Sequence, residues 1–349
     1  MKIVIDIKYD NTFTATSKAR EDVNRILEKE GFETKYINVK KGNDMKTLIS
    51  NINPSYKQLK KILRELPDKS TLLFQYPFDS MSYKFSKIIK RVKEKKQIKT
   101  IALIHDLNSL RTASKIGNLY YKYFVKEIKF LDSFDKIICH NNKMKNYLVK
   151  NNISKNKIIP LGIFDYLIKN EKNNSKNTKD YKKVIIAGNL SKEKAAYVYQ
   201  LPGLNISNYC VDLYGINYEE AKINNINYKG SFQPDKPLEK IKAGFGLIWD
   251  GSSCDKCDGN FGNYLRWNNP HKLSLAMACG IPVIVWKKSA LSEFVEQNEI
   301  GISINSLREL DDFFKKLSIV DYERYCKNVS KINKKVINGK YLIDAIKKV

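Results

Sequence analysis

The segment from Asp250 to Gly280 contains the residue types best suited to chemistry. Within it, Asn269, Pro270 and Lys272 stand at the start of a predicted helix that ends at Gly280. Asparagine is a favoured N-cap and proline a favoured first helical residue, so the spacing predicts a helix that begins at Pro270. The N–H groups and positive dipole end of such a helix attract an anion, and Lys272 adds a full charge. An anion site is one interpretation, and a helix that simply starts with Asn-Pro is the other.

Two apolar runs flank this segment, at residues 244–250 and 281–286. Runs of this length are typical of buried strands, so the helix is predicted to connect two parallel strands. Ligands of open α/β sheets bind outside the carboxyl ends of the strands. We therefore expect Lys272 to lie at that edge of a sheet.

The turn after the predicted strand 183–187 is a second candidate for phosphate binding. Gly188 permits close approach of the backbone, Asn189 follows it, and Ser191 is a candidate N-cap. Lys192 stands where it could reach a phosphate. Because many αβ loops carry Gly-Asn, this turn matters mainly as a second phosphate-type site in the same predicted domain as Lys272.

The first half of the chain has a carboxylate and a hydroxyl-rich loop at strand ends. His105 and Asp106 follow the apolar run 100–104, where Asp106 could act as a general base toward an acceptor hydroxyl. A hydrogen-bonded turn is the alternative. Residues 10–17 contain several hydroxyl groups and no glycine. This loop suits a sugar acceptor better than a dinucleotide, because the G-x-G-x-x-G pattern is missing.

Alternating strand-like and helix-like segments run through both halves of the 349-residue chain. This alternation predicts parallel strands with helices on both faces, and the length suffices for two cores. We predict an α/β fold of two doubly wound domains facing a cleft. The predicted parts are an N-terminal acceptor-side domain 1–165, a polar linker 166–183, a C-terminal domain 184–335 and a C-terminal helix 336–349.

The chain carries 63 Lys and Arg against 37 Asp and Glu, a net charge of +26. A genome rich in A and T, which favours Lys, Asn and Ile codons, explains part of this excess. The remaining positive charge predicts attraction to anionic lipid headgroups. Nucleic acid is the weaker candidate, because the sequence contains no recognised nucleic-acid-binding motif. No apolar run has membrane-spanning length and the start does not resemble a signal peptide, so we expect a cytoplasmic protein.

Cys254 and Cys257 form a C-x-x-C pair, which raises the alternatives of a zinc site or a redox pair. A structural zinc site needs two further ligands, and His271 or Cys279 would have to fold back to supply them. We expect the pair to lie in a mobile loop of a protein in a reducing cytosol, without metal.

Five segments resemble the bacterial galactofuranosyltransferases: 227–232, 244–251, 262–272, 278–286 and 289–294. More distantly, the chain is similar to the glucosyltransferases that extend GlcNAc on serine-rich-repeat adhesins. The resemblance covers essentially the whole chain and is most specific from about residue 225 to residue 301. It implies a GT-B fold of two Rossmann-like domains, the C-terminal one binding UDP-sugar, and no metal or other cofactor.

The resemblance also implies roles by position. The residues that it implies to contact the donor are Lys192, Tyr214, Trp267, Asn268, Asn269, Pro270, His271 and Lys272. Gly188 and Asn189 are predicted donor contacts because of the turn in which they lie. Thr16 and Ser17 are implied to lie in the acceptor-side loop. The Glu-x7-Glu pair of retaining GT-B enzymes is absent, with Leu275 in place of its second glutamate, so the ribose must be held differently. Glu293 is one substitute, although a surface glutamate is commoner.

We therefore predict a hexosyltransferase that moves galactofuranose from UDP-galactofuranose to a glycan acceptor in bacterial surface polysaccharide synthesis. Lys272, Lys192 and the helix end would stabilise the departing diphosphate without a metal, and Asp106 would be the base if the anomeric configuration inverts. The alternatives are a UDP-glucose-dependent glucosyltransferase that extends GlcNAc on an adhesin, and a non-catalytic glycan- or nucleotide-binding partner of a transferase. The expected partners are a UDP-sugar, a lipid-linked or protein-linked acceptor, the inner face of the cell membrane and a second copy of the chain, but no nucleic acid.

Overall fold

The computed structural model describes residues 1–9, 15–40, 42, 45–78, 82–112, 120–168, 180–219 and 224–349. The chain divides into two compact units. Unit 1 comprises Met1–Gly162 and Leu342–Val349, and unit 2 comprises Ile163–Tyr341. Residues 169–179 of the predicted linker lie outside the described residues.

Unit 1 contains a six-stranded parallel sheet in the order β2-β1-β3-β4-β5-β6. Its strands are β1 (Lys2–Tyr9), β2 (Glu33–Val39), β3 (Thr71–Tyr76), β4 (Lys99–Ile104), β5 (Lys136–Cys139) and β6 (Ile158–Pro160). Its described helices include α1 (Ala15–Lys29), α2 (Met45–Glu65), α3 (Ser82–Lys96), α4 (Asn108–Arg111), α5 (Tyr120–Asp132) and α6 (Asn142–Lys150). The inner strands β3 and β4 are buried at almost every residue, as expected for a parallel sheet covered on both faces.

Unit 2 contains a second six-stranded parallel sheet, in the order β12-β11-β10-β7-β8-β9. Its strands are β7 (Lys183–Asn189), β8 (Cys210–Ile216), β9 (Ile226–Tyr228), β10 (Phe245–Ile248), β11 (Val283–Trp286) and β12 (Gly301–Ile304). Its helices include α7 (Lys192–Ala195), α8 (Gly259–Tyr264), α9 (His271–Cys279), α10 (Ser292–Gln297), α11 (Leu310–Lys316) and α12 (Ile319–Val336). The last helix, α13 (Lys340–Ile346), begins in unit 2 and belongs to unit 1 from Leu342 onward.

The two parallel sheets with helices confirm the predicted doubly wound α/β fold. In unit 2, successive residues of β10 face opposite sides of the sheet, with Leu247 in one core cluster and Ile248 in the other. The strand order places β7 beside β10, and the chain leaves these two strands in opposite directions along the sheet. Such a switch point opens a crevice at the carboxyl ends of the two strands.

Several elements differ from the sequence-based expectation. The residue pattern predicts a helix over residues 55–66, but α2 begins ten residues earlier and continues through Pro54, although proline usually ends a helix. The pattern also predicts a helix over residues 192–199, where the structure has the short α7 followed by the 3₁₀ segment Ala196–Gly203. The glycines near residue 260 predict a loop because they disfavour a helix, but the structure has helix α8 there.

Candidate functional site

Helix α9 is held close to β10 at the switch point of unit 2. A Cβ on Gly246 would lie 2.8 Å from the Cβ of Ala276, so glycine permits the helix to pack directly on the strand. In the last turn of α9, directly after Ala276, the Asn333 side-chain amide donates to the carbonyl oxygens of Met277 and Ala278 at 2.8 and 2.9 Å. Both contacts hold the C-terminal half of α9 in place against unit 2.

The start of α9 lies one residue later than predicted. The first helical residue is His271, and Pro270 takes the N-cap position with an extended ψ of 145°. The prediction that Asn269 is the N-cap was therefore wrong, and Asn269 is instead a buried residue of the preceding turn. Proline has no side-chain acceptor, so Pro270 makes no side-chain capping bond to the first N–H groups of the helix.

Lys272 lies at the carboxyl ends of β7 and β10. Its Nζ donates to the Trp249 carbonyl oxygen at 2.9 Å and to Asp250 Oδ1 at 2.8 Å. Its Cε lies 3.6 Å from the point that a Cβ on Gly188 would occupy, and Gly188 has a φ of +139° that favours glycine. The structure thus brings the two predicted phosphate-type segments together, and we call Gly188, Asp250 and Lys272 the switch-point site.

Asp250 is the residue of this site whose contact with Lys272 the sequence did not indicate. Its side chain is 8% exposed and that of Lys272 is 17% exposed. An ion pair with so little solvent around it interacts more strongly than a surface pair. The sequence feature that could have indicated Asp250 is its position at the end of an apolar strand, because ligand-binding side chains of parallel sheets lie at strand ends.

Lys192 contacts a different partner. It is the first residue of α7, and its exposed ammonium pairs with Glu219 and lies 5.3 Å from the ring centroid of Tyr199. The hydrogen bond and charge of Glu219 raise the pKa of Lys192. Ser191 occupies the predicted N-cap position without a side-chain capping bond, and Asn189 Oδ1 accepts from the Ser191 N–H at 3.0 Å.

Two further predicted donor contacts, Tyr214 and Asn268, are buried in unit 2, and Trp267 is half-buried. The Tyr214 hydroxyl donates to the Lys240 carbonyl oxygen at 3.3 Å, and burial raises the pKa of Tyr214 to about 12. Asn268 Oδ1 is buried and accepts no hydrogen bond from the residues that the structure describes. A buried acceptor without a donor is rare in native proteins and marks a place where a ligand can donate.

The side chain of His271 is engaged within unit 2. Its ring stacks on Tyr166 with centroids 4.8 Å apart, and Nε2 lies 3.2 Å from the Asp165 carbonyl oxygen. Ser274, one turn later, donates to the Phe164 carbonyl oxygen at 2.7 Å. These contacts anchor α9 to the segment 164–166.

In unit 1, Asp106 pairs with Arg111 at 2.7 Å. The turn that follows is held by the buried carboxylate of Glu127, which accepts from the Asn108 N–H at 2.9 Å and the Ser109 N–H at 3.3 Å. Burial raises the pKa of Glu127. The sequence did not indicate Glu127, which lies on α5 and is distant along the chain.

The predicted acceptor-side loop is described only in part. Residues 10–14 lie outside the described residues, and Thr16 and Ser17 lie in the first turn of α1.

A connected polar network lies inside unit 1 at the ends of β1, β3 and β4. Arg20 donates to Asp6 Oδ1 at 2.6 Å, and Asn24 donates to Asp6 Oδ2 at 2.8 Å. Gln75 donates to Asn24 at 2.6 Å, and its Oε1 lies 2.7 Å from His105 Nε2. The network connects three neighbouring strands through complementary donors and acceptors.

Cys254 and Cys257 are each only 2% exposed and belong to the core of unit 2. The expectation of a mobile loop was wrong, because both thiols pack among apolar side chains. Burial raises the pKa of Cys254 to about 11 and raises that of Cys257 further. Among the described residues, no group of three or more His, Cys, Asp or Glu side chains is placed to hold a metal ion.

The comparisons with known proteins agree with this architecture. The family models "Glucosyltransferase 3-like, N-terminal domain" and "Glucosyltransferase 3-like, C-terminal domain" match residues 1–163 and 184–349. The beta-1,6-galactofuranosyltransferase WbbI of Escherichia coli K12 is 33% identical over 88% of this chain and 86% of its own length. The chain belongs to the glucosyltransferase 3-like family.

Other relatives of this glucosyltransferase 3-like chain are more distant. Glucosyltransferase 3 of Streptococcus gordonii is 25% identical over 72% of each chain. The solved structure of sucrose-phosphate synthase from Thermosynechococcus elongatus shares the fold with a TM-score of 0.65 at 13% identity, over 99% of this chain and 96% of that one. The chain is a hexosyltransferase of the GT-B fold, which confirms the resemblance found in the sequence. Within the described ranges, no helix is both long enough and apolar enough to span a membrane.

Proposed function

We propose that this hexosyltransferase moves galactofuranose from UDP-galactofuranose to a glycan acceptor in the synthesis of a bacterial surface polysaccharide. The observation that carries the proposal is the similarity to WbbI, which extends over 88% of the chain at 33% identity. The switch-point site supports the donor class, because Lys272, a glycine turn and the start of α9 meet at one sheet edge. A cation and free backbone N–H groups together favour the binding of a diphosphate.

In the proposed mechanism, Lys272 and the first N–H groups of α9 stabilise the negative charge that develops on the departing diphosphate. Electrostatic stabilisation of this kind works best when the donors are held in place before the reaction. The contacts of Lys272 with the Trp249 carbonyl and Asp250 hold its ammonium in a fixed position. Tyr214 and Asn268 contribute the buried wall on the donor side, and Lys192 contributes positive charge from the surface.

On the acceptor side, we propose Asp106 as the base, if the reaction inverts the anomeric configuration, and Thr16 and Ser17 as acceptor contacts. Asp106 pairs with Arg111 at 2.7 Å, so an acceptor hydroxyl must share or replace that contact before its proton can be removed. The buried Glu127 fixes the turn that carries Asp106.

A second candidate is glucosyl transfer from UDP-glucose to GlcNAc on a serine-rich-repeat adhesin. The observation in its favour is the 25% identity with glucosyltransferase 3 of Streptococcus gordonii over 72% of the chain. The two candidates share the fold and differ in the donor hexose and the acceptor, so the assay must vary both.

The test is a panel of UDP-sugars in which UDP release is measured with lipid-linked glycan, with GlcNAc-bearing protein and without acceptor. The proposal predicts acceptor-dependent release from UDP-galactofuranose with lipid-linked glycan, and the same rate after treatment with EDTA. Turnover only of UDP-glucose with glycosylated protein would replace it by the second candidate. Loss of activity in EDTA that Mn²⁺ restores would contradict the metal-independent mechanism.

We also propose that the enzyme works as a homo-oligomer at the inner face of the cell membrane. The net charge of +26 supports contact with anionic lipid. Light scattering of the purified protein tests the oligomer, and a monomer at micromolar concentration would contradict it.

A further inference from the structure

The carboxylate of Asp250 has one oxygen engaged and one oxygen available. Oδ1 accepts from Lys272 Nζ at 2.8 Å. For Oδ2, none of the described residues supplies a hydrogen-bond donor, although the whole residue is only 6% exposed. An ionised carboxylate has about four acceptor positions and no donor. Asp250 therefore presents an unused, charged acceptor at the carboxyl end of β10.

The chemistry of this oxygen restricts what can lie against it. The oxygens of a diphosphate are also acceptors with negative charge, so the diphosphate cannot face Asp250 Oδ2 and must lie toward Lys272 and α9. A hydroxyl group can donate to the carboxylate. A sugar nucleotide carries hydroxyl groups on both sides of its diphosphate, on the ribose and on the hexose.

We propose that Asp250 binds the donor through one hydroxyl group, while its other oxygen holds Lys272 for the diphosphate. This inference rests on the proposed function, in which a UDP-sugar binds at the switch-point site. The two residues of the ion pair then have different roles. Asp250 recognises a hydroxyl group of the donor, and Lys272 stabilises the diphosphate.

Other acceptors near the start of α9 agree with this assignment. Asn268 Oδ1, in the turn before α9, is also buried without a donor among the described residues. The side chain of Leu275, on α9, has no acceptor atom. Glu293 lies exposed on α10, where it accepts from Gln297 Nε2 at 3.0 Å. Asp250, in contrast, is paired with Lys272.

The test is the substitution Asp250→Asn, with binding measured by calorimetry for inorganic pyrophosphate, UDP, UDP-galactofuranose and UDP-glucose. Asparagine can still accept from Lys272, but the negative charge is gone. Pyrophosphate should then bind equally or up to about fivefold more tightly, because Lys272 is no longer neutralised. The ligand whose hydroxyl contacts Asp250 should bind about tenfold more weakly, because a charge-assisted hydrogen bond is lost.

These opposite directions separate a binding role from a structural one. Weaker binding of pyrophosphate and sugar nucleotide alike would show that Asp250 only maintains the fold, and unchanged or tighter binding of every nucleotide would show that it contacts no hydroxyl. Either result overturns the inference. Asp212→Asn is the matched control, because Asp212 is also buried and paired with a lysine, at 3.1 Å to Lys183, near the start of β7. Its substitution should leave all four affinities within about twofold.

A second measurement needs no variant and applies even if Asp250→Asn does not fold. The wild-type protein is titrated with 2′-deoxy-UDP, 3′-deoxy-UDP and UDP-sugars that lack one hexose hydroxyl each. One deletion should reduce the affinity about tenfold, and its position distinguishes a ribose contact from a hexose contact. If no single deletion reduces the affinity more than about twofold, the inference is wrong. Failure of the proposed function is a different result, in which the wild-type protein binds neither UDP nor any UDP-sugar.

Discussion

The carboxyl edges of the two parallel sheets end in different ways. In unit 1, the ends of β1, β3 and β4 are joined by a polar network in which Arg20, Asn24, Gln75 and His105 are connected to the buried Asp6. In unit 2, the ends of β7 and β10 carry a glycine turn and one ion pair. Two sheets of the same class thus present different chemistry, because the side chains at the edge decide what can bind there.

The difference lies in which polar groups already have partners. The network of unit 1 pairs donors with acceptors inside the protein, which is typical of a structural element. In unit 2, Asn268 Oδ1 and Asp250 Oδ2 have no donor among the described residues. We expect substitutions in the Asp6 network of unit 1 to reduce stability, and substitutions at the switch-point site to reduce turnover.

Lys272→Ala should produce the largest effect on activity. The substitution removes a charge aimed at the leaving diphosphate, and kcat/KM should fall about 10²-fold, which corresponds to roughly 3 kcal/mol at a preorganised site. Lys183→Ala is the matched control, because Lys183 is similarly shielded at 22% exposure and pairs with the buried Asp212 on the same sheet. Steady-state kinetics of both variants, with melting curves, check the prediction, and an equal loss of activity in both would refute it.

Arg20→Ala should destabilise unit 1 and leave the donor affinity unchanged. The substitution removes the arginine that pairs with Asp6 at 2.6 Å, both side chains being nearly buried. The loss of one partner of such a pair costs about 3 kcal/mol. Arg25→Ala on the same helix should cost less than about 0.5 kcal/mol, because Arg25 pairs with Glu21 on the surface. Urea unfolding and UDP titration measure both properties, and a large loss of UDP affinity in Arg20→Ala would contradict the contrast between the units.

His140 should make unit 1 sensitive to acid. Burial lowers the pKa of His140 from 6.5 to about 4, so the unfolded chain binds a proton before the folded protein does. The contribution of neutral His140 to the free energy of unfolding is therefore present above pH 6.5 and is lost as the pH falls toward about 4. Between pH 7 and pH 5, the free energy of unfolding of the wild-type protein should fall by about 2 kcal/mol more than that of His140→Gln. Parallel slopes for the two proteins would show that His140 does not carry this dependence.

The sequence was sufficient to predict the alternation of strands and helices along the chain, because buried parallel strands such as β3, β4 and β10 are continuous apolar runs. It also indicated that Lys272 and Gly188 belong to one sheet edge, since the carboxyl ends of parallel strands meet there. It did not indicate that Lys272 pairs with Asp250 or that Lys192 pairs with Glu219. Such pairs depend on side-chain directions in the folded protein, which residue spacing does not specify.

The smallest effect is expected for the surface charge. Each lysine near a charged leaflet contributes about 1 kcal/mol, so a few clustered lysines suffice for weak binding. The protein should bind anionic vesicles more than neutral ones, and the difference should decrease as salt is added. Vesicle flotation at physiological salt measures this, and equal, negligible binding to both lipids would show that the charge of +26 reflects composition only.

The most direct test of the switch-point site is a crystal structure of the protein with UDP. The proposed function predicts that a diphosphate oxygen lies within hydrogen-bond distance, about 3 Å, of Lys272 Nζ. The same diphosphate should lie beside Gly188 and before the first N–H groups of α9, with Asp250 Oδ2 turned toward a hydroxyl group. A diphosphate bound elsewhere, with Lys272 still paired only to Asp250 and the Trp249 carbonyl, would contradict the central claim.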